Sequence, residues 1–182
     1  MKNPILRIFT AAVLVAACCS FGLAQKKPPV AKPRPKAAVG PTVTKVDIDG
    51  LKALLKPGDK PRLINFWATW CDPCREEFPD LVKLNTAYQG KIDFLTVSLD
   101  DLEDIATAVP KFLRQMKATM PTYLLSTTDE DAAITAISAE FHGNLPFTIL
   151  LKPTGEMVYS KEGKIKPLIM TAEIDKLLAA AP

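Results

Sequence analysis

The chain has 182 residues, 48% of them hydrophobic and 24% charged, which suits one domain able to bury a core without metal or disulfide staples. Its formal net charge of +3 hides an asymmetry: residues 1–36 hold seven basic and no acidic residues, and the remainder 16 basic against 20 acidic ones. A mildly acidic folded part argues against nucleic acid as a partner, and the basic tail reads as a solvated segment.

Lys2 and Arg7 precede the apolar run 8–17, and Gly22-Leu23-Ala24 stand before Gln25. That charged, apolar, small-residue order predicts a signal peptide over residues 1–24, cleaved after Ala24. Two further readings fit the same stretch. Val15-Ala16-Ala17-Cys18 resembles a lipobox, which would make Cys18 a lipidated N-terminus, and the run would serve as an uncleaved anchor, although a span needs about 20 residues. All three place the domain outside the cytoplasm, in the periplasm or cell envelope, with membrane contact only through that lipid or anchor. Residues 25–41 follow as a linker. Pro28, Pro29, Pro33, Pro35 and Pro41 among lysines and alanines keep it extended and leave it too little apolar surface to fold.

Residues 43–46 read as a short strand, and Asp49 as the cap of a helix with Leu51, Leu54 and Leu55 that stops at Pro57-Gly58. The apolar run 63–68 predicts a central strand. It passes through Cys71 and Cys74 into a helical pattern with Phe78, Leu81, Val82 and Tyr88. Residues 92–99 predict another strand. Asp100 and Asp101 suit the start of a helix carrying Leu102, Ile105, Val109, Phe112, Leu113 and Met116, which Pro110 should kink or divide. Residues 121–125 read as an edge or inserted strand, and Thr128 with Asp131 as a capping-box-like start for a helix with Ile134, Ile137 and Phe141 on one face. Residues 147–151 and 157–159 form a hairpin about Pro153-Thr154-Gly155, and a last helix presents Ile174, Leu177 and Leu178. This alternation predicts an α/β layer fold, a mixed sheet covered on both faces.

Two motifs carry a family resemblance. Trp70-Cys71-Asp72-Pro73-Cys74 after Phe66-Trp67-Ala68 resembles the thioredoxin superfamily, and Arg75-Glu76-Glu77-Phe78-Pro79 resembles its extracytoplasmic TlpA-like and ResA-like branch. Far downstream, Gly143-Asn144-Leu145-Pro146-Phe147-Thr148 resembles the cis-proline loop of that family. The resemblance covers residues 42–182. It implies a thioredoxin fold, with a mixed central sheet flanked by helices and a TlpA-like insertion before the cis-proline loop.

The resemblance further implies an oxidoreductase, in the first instance a disulfide reductase, that exchanges a Cys71–Cys74 disulfide with protein thiols and disulfides of envelope clients. Such proteins often serve cytochrome c maturation and usually draw on a membrane electron donor. No cofactor or metal is expected; a zinc site would need two more ligands, and His142 is the only histidine. Cys18 and Cys19 belong to the leader, so Cys71 and Cys74 are left to pair with each other or with a client. A purely structural bridge over so short a loop would gain little chain entropy.

Cys71, just before the helix, is the expected attacking thiolate, because free N–H groups and the helix dipole favour a thiolate there. Cys74 would resolve the mixed disulfide. Pro73 fixes the turn, and the anionic Asp72 disfavours the thiolate, which pushes the pair toward the reducing end of the range of about −270 to −120 mV. Glu77 shares a helix face with Cys74 and matches the acid that the ResA-like branch keeps beside its site; it reads either as a proton relay for the thiols or as an acid that favours the helix dipole. Thioredoxin proper has a buried acid where this chain has Asn65, which raises the value of Glu77 as a substitute. Trp70 is expected to cover the sulfurs, Trp67 to pack, and Leu145 with Pro146 to present backbone to a client.

A thiol peroxidase on the same fold would want Pro-X-X-X-Thr-X-X-Cys, and Thr69 stands only two residues before Cys71. A non-enzymatic binding module would have no use for the cysteine pair. Intact mass of the mature protein separates the three leader readings. The expected species begins at Gln25, and an acylated Cys18 or a retained Met1 would replace that reading.

Overall fold

The computed structural model describes residues 41–180. The leader over 1–24, with Cys18 and Cys19, and the linker up to residue 40 lie outside the described residues. Strands β1 (Val43–Val46), β2 (Arg62–Trp67), β3 (Asp93–Ser98), β4 (Thr122–Leu125), β5 (Phe147–Leu151) and β6 (Met157–Glu162) form one sheet in the order β1-β4-β3-β2-β5-β6. The first four are mutually parallel, and β5 and β6 run antiparallel to their neighbours. Helices α1 (Ile48–Leu54), α2 (Asp72–Ala87), α3 (Ala108–Met116), α4 (Glu130–Ile137) and α5 (Pro167–Ala179) cover it. Among the described residues no helix is long and apolar enough to cross a membrane.

Strand β2 sits in the middle, and its alternating side chains build two cores. Leu63 and Trp67 face a cluster with Phe78, Leu81, Phe112, Leu113, Met170 and Ile174 from α2, α3 and α5. Ile64 and Phe66 face a second cluster with Leu51, Ala133, Ile137 and Phe147. Because both faces are covered, β2 reads as a continuous apolar run broken only by Asn65, which is fully buried.

Several boundaries differ from those expected. The cap of α1 is Asp47, not Asp49: Asp47 has extended backbone and accepts the Gly50 N–H at 2.8 Å, while Asp49 stands in the first turn. The division of the third helical pattern falls at Thr107, where a 3₁₀ segment (Leu102–Ala106) gives way to α3. Pro110 is the third residue of α3, where its missing N–H would have had no intrahelical partner. The α4 cap is Asp129, which accepts the Ala132 N–H at 2.8 Å; Phe141 lies beyond the helix end and stacks on Phe147. Strand β4 is the inserted alternative, lying between β1 and β3, and β1 is the edge.

The hairpin forms as expected, its turn closed by Gly155 N–H to Lys152 O at 2.9 Å with Gly155 at φ +84°. On the α2 side the rings of Trp67, Phe78 and Phe112 meet pairwise at 4.8–4.9 Å between centroids. Phe78→Ala removes the centre of that trio and should cost about 3–5 kcal/mol, read as a lower urea midpoint at unchanged slope; a loss under about 1 kcal/mol would show that the trio does not hold α2 on the sheet.

Candidate functional site

Cys71 is the N-cap of α2: its backbone is extended, and its Sγ accepts the Cys74 N–H at 3.2 Å. Asp72 and Pro73 follow as exposed residues of the first turn, with proline tolerated there because its N–H would be unpaired. Cys71 and Cys74 are joined by a disulfide. Cys74 is fully buried and Cys71 retains 6% exposure, so Cys71 is the sulfur that solvent reaches. Leu145–Pro146 is a cis peptide bond, with Pro146 buried and Leu145 half-buried.

The turn before Cys71 is held by an acid that the sequence reading assigned to a helix start. Asp100 is buried and accepts the Thr69 N–H with both carboxylate oxygens at 3.0 Å, Thr69 Oγ1 at 2.5 Å and Ser98 Oγ at 2.6 Å. From the other side Arg75 donates to Thr69 O at 3.1 Å and lies over the Phe112 ring. The turn is thereby tied to the end of β3 and to α2. Trp70, expected to cover the sulfurs, stands 68% exposed at the tip of this turn.

Glu77, one turn beyond Cys74, is buried on the α2 side of the sheet. Its Oε1 accepts from Asn65 Nδ2 at 2.8 Å and its Oε2 from the Ile165 N–H at 2.9 Å. Asn65 donates also to Thr148 Oγ1 at 2.9 Å, so one amide joins α2, β2 and β5. Position 65 therefore holds the donor that Glu77 needs; a second carboxylate there would face the first across hydrogen-bond distance and repel it. Lys164, beside Ile165, pairs with Glu76 at 2.6 Å, and Gly163 N–H reaches Pro146 O at 2.8 Å. Three successive residues thus clasp Glu76, Glu77 and the cis-proline loop. His142 is exposed; its N–H, together with Asn144 Nδ2, anchors that loop on Glu162.

Burial pushes the Glu77 carboxyl up to about 7, against the pull of the Ile165 and Asn65 bonds and the Lys164 charge. The sequence placed Cys71, Cys74, Glu77 and Pro146 on elements that do meet. Asp100, Thr148 and the clasp of residues 163–165 were missed, since only the sheet order brings them to the site.

A parallel-to-antiparallel sheet with a cysteine pair heading the helix after its central strand, and a cis-proline opening the antiparallel strand beside it, defines a thioredoxin fold. The thioredoxin family model matches residues 42–140, and the chain belongs to that family. Over 104 residues it is 32% identical to the thiol-disulfide oxidoreductase ResA of Oceanobacillus iheyensis, covering 57% of this chain and 50% of that one, so it spans about half the length of that relative. It is 29% identical over 157 residues to the thiol:disulfide interchange protein HelX of Rhodobacter capsulatus, covering 86% of this chain and 78% of HelX. Among solved structures, a thioredoxin-related protein from Neisseria meningitidis serogroup B superposes with a TM-score of 0.56 at 27% identity, covering 66% of this chain and 86% of that one.

The raised Glu77 value sets a stability signature. Below about 4.5 the carboxyl is protonated both folded and unfolded; as pH rises toward 7 the unfolded chain ionises first, so stability falls and then levels off. With the disulfide intact, the wild type should lose on the order of 3 kcal/mol between about pH 4 and pH 8 relative to Glu77→Gln, read by urea unfolding. Parallel curves for the two proteins would mean that Glu77 titrates as an ordinary surface acid.

Proposed function

We propose that this protein is an exported thiol:disulfide oxidoreductase that reduces disulfides of protein clients. The observation that carries this is the cysteine pair at the head of α2, where Cys71 is the accessible sulfur and takes the Cys74 N–H. In the reduced form that N–H, with the positive end of the helix, stabilises a thiolate at Cys71. The thiolate attacks one sulfur of a client disulfide, and the other client sulfur leaves as a thiolate that takes up a proton. Cys74 then gives up its proton and attacks Cys71 Sγ. The second client thiol is released, the client has gained two electrons and two protons, and the Cys71–Cys74 disulfide has formed.

Glu77 is the proposed acceptor of the Cys74 proton. It lies on the same helix face one turn away, and a carboxyl poised at about 7 can take a proton and return it near neutrality. The cis-Pro146 loop, with Leu145 backbone and the exposed Trp70, is the proposed surface on which client backbone lies. Asp72, exposed and anionic beside the sulfurs, together with Pro73 favours the reducing direction. The return of the site to its dithiol form needs a reductant, which we place at the membrane. The charged, apolar, small-residue order of residues 1–24 is the ground for export, and the clients proposed with it are envelope proteins, among them apocytochrome c, as the resemblance to the ResA-like branch implies.

The test is substitution of each sulfur, with reduction of a protein disulfide as readout. Cys71→Ser should abolish turnover while leaving the helix capped, because serine is itself a favoured N-cap. Cys74→Ser should hold the client as a mixed disulfide on Cys71. Full turnover in either variant would overturn the assignment.

A further inference from the structure

The two sides of the sulfur turn carry opposite charge. On one side a cleft of about 300 Å³ opens against α4, and the exposed acids Asp101 and Glu130 line it. On the other side lies the strap that joins β6 to α5. There Lys161, Lys164 and Lys166 are exposed, and residues 163–172 contain no acid. Lys161 pairs in register with Thr148, the partner of Asn65, so it stands on the α2 and α5 side of the sheet. Phe66, Phe147 and Glu162 are in register across three strands, so α5 starts at the end of the sheet where Cys71 stands.

Beyond these lysines come three successive exposed apolar residues, Pro167, Leu168 and Ile169. Leu168 is 86% exposed and Ile169 47%, while Met170 and Ile174 of the same helix are buried in the core shared with α2. Helix α5 therefore has its core contact already, and its first turn carries a second apolar surface turned outward. An uninterrupted exposed run of this kind is a liability unless something covers it. Helix stability does not account for the lysines either. Helix starts favour acids, yet α5 has none in its first turn, and Lys166 stands at its cap with no side-chain bond. Of the acids around the patch, Glu76 pairs with Lys164, Glu162 holds His142 and Asn144, and Glu173 lies one turn past Ile169.

Composition identifies the occupant. Protein interfaces centre on aromatic side chains and arginine and are poor in lysine, whereas a surface that lies on lipid combines aliphatic side chains with lysines. Lys161 and Lys166, with Lys164 shared with Glu76, attract anionic headgroups, and their long stems let the ammonium groups stay among those headgroups while apolar neighbours go deeper. The acidic cleft on the other side of the turn is repelled by the same surface, which fixes the orientation. We propose that the start of α5 docks on an anionic membrane surface, with Leu168 and Ile169 entering between the lipids and the three lysines meeting the headgroups. This lipid contact does not rest on the disulfide-exchange reading; it adds that the end of the sheet carrying Cys71 faces the bilayer, where the reductant is placed.

The experiment measures co-sedimentation of the chain from Gln25 with vesicles of mixed phosphatidylglycerol and phosphatidylcholine, and with vesicles of phosphatidylcholine alone. The wild type should favour the anionic vesicles, and that preference should shrink between about 0.1 and 1 M salt, as the screening length falls from about 10 to about 3 Å. Leu168→Ser with Ile169→Ser should lower the partition coefficient about tenfold, in line with withdrawing two aliphatic side chains that are each part-buried in lipid. Lys161→Glu with Lys166→Glu should lower it by more than about tenfold, since each lysine near the surface contributes about fivefold. The basic residues between 26 and 36 are common to all these proteins, so their own attraction cancels in the ratios. Leu168→Trp in the Trp70→Phe protein should be quenched by brominated acyl chains. Equal partition of the wild type and the serine variant overturns the inference, and so does equal binding to both kinds of vesicle. A dimer that the serine substitutions dissociate would give the patch to a second copy instead. Reduction of a small disulfide in solution should be the same in the wild type and in the serine and glutamate variants; its absence from all of them would overturn disulfide exchange and leave the lipid contact standing.

Discussion

A carboxyl group buried one helical turn beyond the disulfide is the constraint on which the rest of this site depends. Glu77 is shut away from water, and a buried acid is tolerated only where donors meet it or where it stays protonated. This protein uses both means: Asn65 and the Ile165 N–H donate to it, and its titration is moved up to about 7. The donors come from the central strand and from the segment between β6 and α5, so the position of one carboxyl fixes two parts of the fold against α2. Residues 163–165 also bond Pro146 O and Glu76, so the surroundings of the acid and the loop opposite the sulfurs share a single strap.

The sheet explains why these pieces converge. Strands β2, β3 and β4 are parallel, and their carboxyl ends lie together, which is where open α/β sheets keep their ligands. Trp67, Ser98 and Leu125 end those strands, and the chain beyond each supplies the cysteine turn, the Asp100 clamp and the cleft wall. Strand β5 runs the other way, so its beginning, Pro146-Phe147, arrives at that same end. Asp100 makes the convergence rigid by pinning Thr69, two residues before Cys71, to the end of β3.

The sequence discloses what is local in origin. The run from Asn65 to Cys74 reads as strand, turn and helix because apolar spacing, a proline in the first turn and a cysteine at the cap are all short-range signals. Pro146 is legible through its motif. Caps are less so: Asp47 and Asp49, or Thr128 and Asp129, are equally good residue types, and only the backbone angles decide between them. Phe141 falls on the helical period of Ile134 and Ile137, yet the helix stops at Ile137 and the ring stacks on Phe147 from a loop. Asp100 looks like any acid before a helix. Its role as a clamp, like the pairing of Asn65 with Glu77, follows from strand order, which no window along the chain contains.

The placement of β4 and α4 separates two regions. The sulfurs, Glu77 and Asn65 lie on β2 and α2, in a core built with α3 and α5. The cleft is walled by the 3₁₀ segment, the end of β4 and α4, on the face whose core is formed with α1. Trp70 and Leu145 are where the two regions touch. A substitution on α4 or at the end of β4 therefore stays clear of the hydrogen bonds that set Glu77. The strand slipped between β1 and β3 thus widens the sheet while leaving its centre, and the acid buried beside it, as they are.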